Sequence, residues 1–175
     1  MLKSYYIRKT HIITIIILSI VFSSVLLSYV KRVDRNEILR VFIEAEYINE
    51  DKLREDLLLH LDDDCIIKIE FTIISGDDPY FSQTLLTTGL FEADILILSE
   101  SKLSSFDLSG SFKPLDDLED INEIDDSNLF IQNEIVFGIQ LSSSIINQYQ
   151  LISQDIDFIF VNENSVHVNA ILYKS

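Results

Sequence analysis

One cysteine, two prolines and four glycines in 175 residues leave little material for anything but regular structure. The lone Cys65 excludes an intrachain disulfide, and a free thiol does not settle the redox compartment. So few prolines and glycines argue against a loop-rich or low-complexity chain. No internal repeat is present. Basic residues are also scarce, 13 against 29 acidic, for a net charge of -16. The shortage is uneven. Six basic and two acidic residues fall in the first 37, which leaves seven basic against 27 acidic in the rest, a net of -20. A domain this acidic repels nucleic-acid phosphates, so no nucleic-acid partner is expected. The acidity reads as a solvated surface.

Motifs that carry chemistry are missing too. There is no CxxC, no HExxH and no Gly-rich phosphate loop, so neither metal nor cofactor is expected. Asp62-Asp63-Asp64, Asp116-Asp117 and Asp125-Asp126 lack the alternating oxygen ligands, central glycine and closing glutamate of a calcium loop. His11 sits in an apolar run, His60 near the end of a helix and His167 after a strand. Neither Ser165 nor Cys65 has the nucleophile-elbow context of a hydrolase, so the chain is not expected to be an enzyme.

What is present begins with an apolar run. Residues 11–30 (HIITIIILSIVFSSVLLSYV) carry no formal charge apart from a fraction at His11. At about 1.5 Å per residue a helix of this length spans roughly the 30 Å hydrocarbon core of a bilayer. Its serines and its threonine can return their hydroxyls to the backbone. Lys3, Arg8 and Lys9 flank one end, and Lys31, Arg32 and Arg35 the other. The free amine, with Asp34 and Glu37 opposite, tips the topology towards a cytoplasmic N-terminus. The exit at Leu26-Leu27-Ser28 lacks a small-x-small cleavage site, and no cysteine ends the run as in a lipoprotein. The expectation is an uncleaved signal anchor in the cell membrane. Residues 1–10 are then a cytoplasmic basic tail, 11–30 the span, 31–37 a linker and 38–175 one extracytoplasmic domain.

That domain is organised around residues 92–100 (EADILILSE). Four consecutive apolar residues, Ile95 to Leu98, do not alternate, which suits a strand covered on both faces. Residues 38–45 (ILRVFIEA) and 65–74 (CIIKIEFTII) read as two more such strands. Between them Asn49 is a good N-cap, with Glu50 and Asp51 in the first turn. Leu53, Leu57 and Leu61 repeat at helical spacing, predicting a helix over about 50–61 that ends at three exposed aspartates. Asp78 caps a second helix with Pro79 at its first position, Phe81, Leu85 and Leu86 form its inner face, and Gly89 helps stop it. Right-handed crossovers then place the first strand between the other two, order 2-1-3. The expected fold is α/β: a single three-layer lobe with a parallel βαβαβ core. Residues 116–132 read as an acidic loop with a short amphipathic turn.

Residues 40–118 resemble the first lobe of the extracellular solute-binding proteins of ABC importers, the type-2 periplasmic-binding-protein fold. The resemblance rests on VFIEAEYINEDKLREDLLLHL, on IIKIEFTIISGDDPYFSQTLLTTG and above all on ADILILSESKLSSFDLSGSFKPLDDL. The last combines an apolar strand, a polar-aromatic turn, a glycine-containing loop and a Pro-Leu-Asp-Asp ending, as in sugar-binding members. Residues 134–141 (EIVFGIQL) are similar to a later family strand, with Phe137 and Gln140 replacing its usual tyrosine and proline. Residues 157–166 are similar to the strand on which the family's chain re-enters the first lobe. Only residues 142–156 separate these two, too few for a second lobe. Such a pair can add to the sheet as antiparallel strands.

The resemblance implies a small polar solute such as a sugar, an importer permease as partner, and a site where the first three strands end. The candidates are Glu46, Tyr47, Tyr80, Ser99 and Glu100. Tyrosines could stack on a sugar face, and carboxylates could accept its hydroxyls. With one lobe there is no interdomain cleft to close, which removes half the contacts and most of the desolvation. The competing expectation is therefore a cell-surface interaction module that has lost ligand binding along with the second lobe.

Overall fold

A computed structural model describes residues 18–19, 22–23, 33–61, 66–103, 110–116, 121, 124–153, 157–165 and 167. The chain divides into two units, Met1–Asp34 and Arg35–Ser175. In the first unit Leu18, Ser19, Phe22 and Ser23 are helical and exposed. The rest of the expected anchor lies outside the described residues. Among those described, no helix is long and apolar enough to cross a membrane.

The second unit is built on β1 (Ile38–Glu44), α1 (Glu50–His60), β2 (Lys68–Ile74) and a helical segment, α2. The α2 segment runs from Phe81–Thr84 through a π turn, Leu85–Gly89, to Leu90–Glu92. Then follow β3 (Ile95–Ser99), a single turn α3 (Glu100–Leu103), β4 (Leu129–Gln132), β5 (Ile135–Gln140), α4 (Ser143–Tyr149) and β6 (Asp157–Val161). One six-stranded mixed sheet results, in the order β2-β1-β3-β6-β5-β4. The β1–β2 pair is parallel from Ile38↔Lys68 to Glu44↔Ile74, and β1–β3 is parallel at Val41↔Ile95. From β3 outwards every neighbour is antiparallel. The α/β lobe and the 2-1-3 core are as the residue pattern implies, and β5 and β6 do join the sheet as an antiparallel pair.

Alternation along the strands sorts two cores to the two faces. Leu39, Val41 and Ile43 of β1, Ile97 of β3 and Ile159 of β6 face α1 and α4. Phe42, Leu96, Leu98, Phe158 and Phe160 face α2. Because both faces are covered, residues 95–98 of β3 are apolar without alternation.

Three local expectations need correction. Helix α2 does not start at Pro79: Asp78 Oδ1 accepts from Tyr80 N at 2.7 Å in a turn, and the helix begins at Phe81. Gly89 does not stop it, since the helix continues to Glu92; a side chain there would meet Leu85, Leu96 and Phe42. The segment 116–132 is not all loop, because its last four residues are β4. Asn133 (φ 54°) and Glu134 (φ 68°) turn the chain tightly into β5, as a two-residue hairpin with left-handed central residues requires. Conversely, Asn49 caps α1 as expected, accepting from Lys52 N at 3.2 Å. Asp62 to Cys65 lie outside the described residues.

The β4–β5 pair carries a bulge. Phe130 opposes Gly138 and Ile131 opposes Val136, so Phe137 is the extra residue. The slip turns Phe137 to the same face as Gly138, into the aromatic core, while Val136 and Ile139 share the other face. At Gly138 the ring of Phe160 lies over the bare backbone; a Cβ would come within 2.6 Å of its Cε1.

Candidate functional site

Parallel strands deliver their carboxyl ends to one edge of a sheet, where loops of separate elements meet. At that edge the central side chain is Glu44, the last residue of β1. It is buried, and its Oε2 accepts from both the amide (2.9 Å) and the hydroxyl (2.8 Å) of Ser99 at the end of β3. Ser99 Oγ lies 3.2 Å from Ser101 Oγ. The loop after β2 closes the third side. The backbone of Gly76 rests against Glu44 Oε1, a place where any Cβ would collide. Lys102 of α3 donates from Nζ to Gly76 O at 3.0 Å and holds its charge 5.4 Å from the centre of the Phe81 ring. The ends of β1 and β3, the β2 loop and α3 are thus knitted together by one buried carboxyl group and one amine.

The five residues singled out from the sequence are distributed around this network. Ser99 is 2% exposed, and its amide and hydroxyl are both engaged by Glu44. Glu100 is exposed at the first position of α3. Tyr80 is 67% exposed just before α2, ahead of Phe81, which enters the aromatic core. Glu46 and Tyr47 turn to the other face. Glu46 N donates to Ile152 O at 2.8 Å, Ile152 N donates to Tyr47 O at 2.9 Å, and the next residue, Ile48, joins the core beneath α1. Tyr47 remains 50% exposed. The edge therefore brings Ser99 and Glu100 together with Glu44 and Lys102. It leaves the two tyrosines on elements that pack on opposite faces.

Glu44 and Lys102 were missed by the sequence reading. Glu44 ends a strand whose apolar run makes it look like an outward residue. The available signal was its position: a carboxylate at the final residue of a central parallel strand cannot leave the sheet edge.

A second polar cluster sits at the amino edge. Asp94, buried, accepts from Arg40 N at 2.9 Å and from Ser165 Oγ at 2.6 Å. Asn162, also buried, donates from Nδ2 to Leu90 O at 2.8 Å. The His167 ring is occupied with Ile38 O at 3.1 Å, and its amide donates to Ser165 Oγ. Ser165 therefore gives its proton to Asp94 rather than to an imidazole. The cluster ties the chain after β6 to β1, α2 and the start of β3.

Among the described residues no group of three or more histidine, cysteine, aspartate or glutamate side chains converges as a metal site. Asp125 is accounted for locally: it accepts from Ser127 N, which holds its carboxyl below the usual aspartate range. Asp116 Oδ1 accepts from Val136 N at 3.3 Å. Comparison with protein-family models, curated proteins and solved structures finds no match for this chain.

Proposed function

We propose that this chain is a membrane-tethered, extracytoplasmic lobe of the solute-binding-protein type. In this reading it offers the carboxyl edge of its parallel strands to a small polar solute, such as a sugar, on behalf of an ABC importer. The observation that carries the reading is the sheet itself: a parallel β2-β1-β3 core extended by the antiparallel β6 and β5. This arrangement leaves one ligand-type edge, rimmed by Glu44, Ser99, Glu100 and Lys102. The anchor rests on the apolar run 11–30 and its basic flanks. No catalytic step belongs to this reading.

A second reading has its own support. Ser99 already spends its amide and hydroxyl on Glu44, and Tyr47 is bridged to Ile152. An edge whose polar groups satisfy one another suits an interaction module without a solute. Titration calorimetry of the full chain in lipid nanodiscs, against oligosaccharides, amino acids and divalent cations, separates the two. Saturable sugar binding that Glu100→Ala and Tyr80→Ala weaken supports the first. Silence across the panel, with a protein partner retained on the column, supports the second. A hydrolysis screen with turnover removed by Glu44→Gln would overturn both. A reporter fused after Ser175 tests the address; activity in the cytosol would end the tethered reading.

A further inference from the structure

A cavity of about 210 Å³ lies between α1, α4 and the middle of the sheet. Its floor includes Val41 and Ile97, its α1 wall Leu53 and Leu57, and its α4 wall Ile145 and Tyr149. Every lining side chain is apolar except for the Tyr149 hydroxyl, so nothing within it can hold a water network; a buried water needs two to four polar partners. Such a void also exceeds the roughly 150 Å³ that suffices for one benzene-sized guest in an apolar protein cavity. The helix covering it is short and none of its residues is fully buried. Its polar groups gather instead at the seam with α1. Gln148 Nε2 donates to Asp56 Oδ2 and to the Tyr149 hydroxyl, each at 3.1 Å, and Lys52 Nζ donates to Gln148 O at 3.2 Å. These contacts lie on the solvent side, over an apolar interior. Burial, followed by the hydrogen bond to Asp56, raises the Tyr149 pKa above the usual phenol value, which keeps the hydroxyl protonated as a donor.

We propose that this cavity is a binding site for a short alkyl chain bearing a small polar head, with the chain among Leu53, Leu57, Ile97 and Ile145 and the head at the Gln148–Tyr149 seam. The site lies beneath α1 and α4, not at the carboxyl-edge network, and does not depend on the solute reading. The finite volume of the slot sets a length limit. Each methylene buried tightens binding about fourfold until the slot is full. Beyond that length the gain stops.

The test is photolabelling of the full chain in nanodiscs with a short alkyl diazirine, competed by 1-alkanols of increasing length. Labelled peptides are mapped by mass spectrometry. The expected result is saturable labelling of the segments holding Leu57 and Tyr149, with competition improving about fourfold per carbon up to a cut-off. Leu141→Phe, which narrows the cavity, shortens the cut-off, and Ile159→Ala, which enlarges it, lengthens it. Opposite shifts on one readout would not follow from loss of fold, which circular dichroism of both variants checks. A lysophospholipid arm asks whether the chain comes from a lipid or from a free alcohol or acid; competition by either supports the site. Non-saturable labelling, labelling confined to residues 11–30, or a cut-off unmoved by both variants would overturn the proposal.

Discussion

The two faces of the sheet are made of different material and are packed differently. The face beneath α2 is aromatic. Phe160 is ringed by Phe112 at 4.8 Å, Phe130 at 5.7 Å and Phe158 at 6.4 Å, with Phe42 and Phe81 in edge contact further along. Planar rings fill space there because the bulge at Phe137 and the missing side chain of Gly138 let them interleave. The opposite face is almost entirely aliphatic, and its two covering helices meet over a void. Branched aliphatic side chains on a pleated sheet have fixed rotamers and short reach. When the covering helix is only seven residues long, they cannot close the gap. One face is thus interlocked around Phe160, and the other has room for a guest.

The largest effect that could break this contrast is Phe160→Ala. Removing the hub of the aromatic face is expected to cost about 3–5 kcal/mol in denaturant unfolding. A loss below 1 kcal/mol would mean the rings are not interlocked. Next is Glu44→Ala at the carboxyl edge. It strands the Ser99 amide and hydroxyl without their acceptor, an expected cost of about 1–3 kcal/mol by the same measurement.

The sharpest comparison uses one added methyl on each face. Gly138→Ala pushes into the Phe160 ring and is expected to cost about 1–3 kcal/mol. Val41→Ile adds its methyl to the cavity and is expected to gain about 0.5–1 kcal/mol in thermal unfolding. Equal signs for these two would erase the difference between the faces.

The smallest effect lies at the β2 margin of the aromatic face, where charges replace rings. Glu70 lies 2.6 Å from Lys68 Nζ and 3.4 Å from Arg40 Nε. The hydrogen bond to Lys68 leads in lowering its pKa, against a smaller opposing effect of burial. A carboxyl group depressed in the folded state adds stability above its ordinary value of 4.5, and that stability is lost as pH falls through the lower folded value. Glu70→Gln is therefore expected to cost under about 1 kcal/mol at pH 7, for these partly exposed groups, and nothing at pH 2. Equal losses at both pH values would show that the ion pairs are not responsible.

The strand core was readable because its signal is local. A run such as Ile95 to Leu98 reports a strand buried on both faces whatever surrounds it, and Asn49 followed by Glu50 and Asp51 reports a helix start. β4 was hidden because Leu129 to Gln132 follow a dense acidic stretch and turn back through Asn133-Glu134, a pair without the glycine that normally marks a tight hairpin. The rim was half readable. Chain order sends Glu46, Tyr47, Tyr80, Ser99 and Glu100 to loops on one edge. Which face each loop folds towards depends on what packs beneath it, and Ile48 and Phe81 draw the two tyrosines apart.

By itself the sequence determined the three core strands, the helix that follows Asn49, the parallel run of those strands, and the domain's net charge of -20. These follow from periodicity, crossover handedness and composition, each a property of neighbouring residues or of the whole count. Only the tertiary structure decided that Glu44 and Ser99 face each other, that Phe137 slips onto the aromatic face, and that α4 stops short of closing the aliphatic one. Those facts depend on register and on the fit of side chains from distant segments, and no local pattern encodes the space left between them.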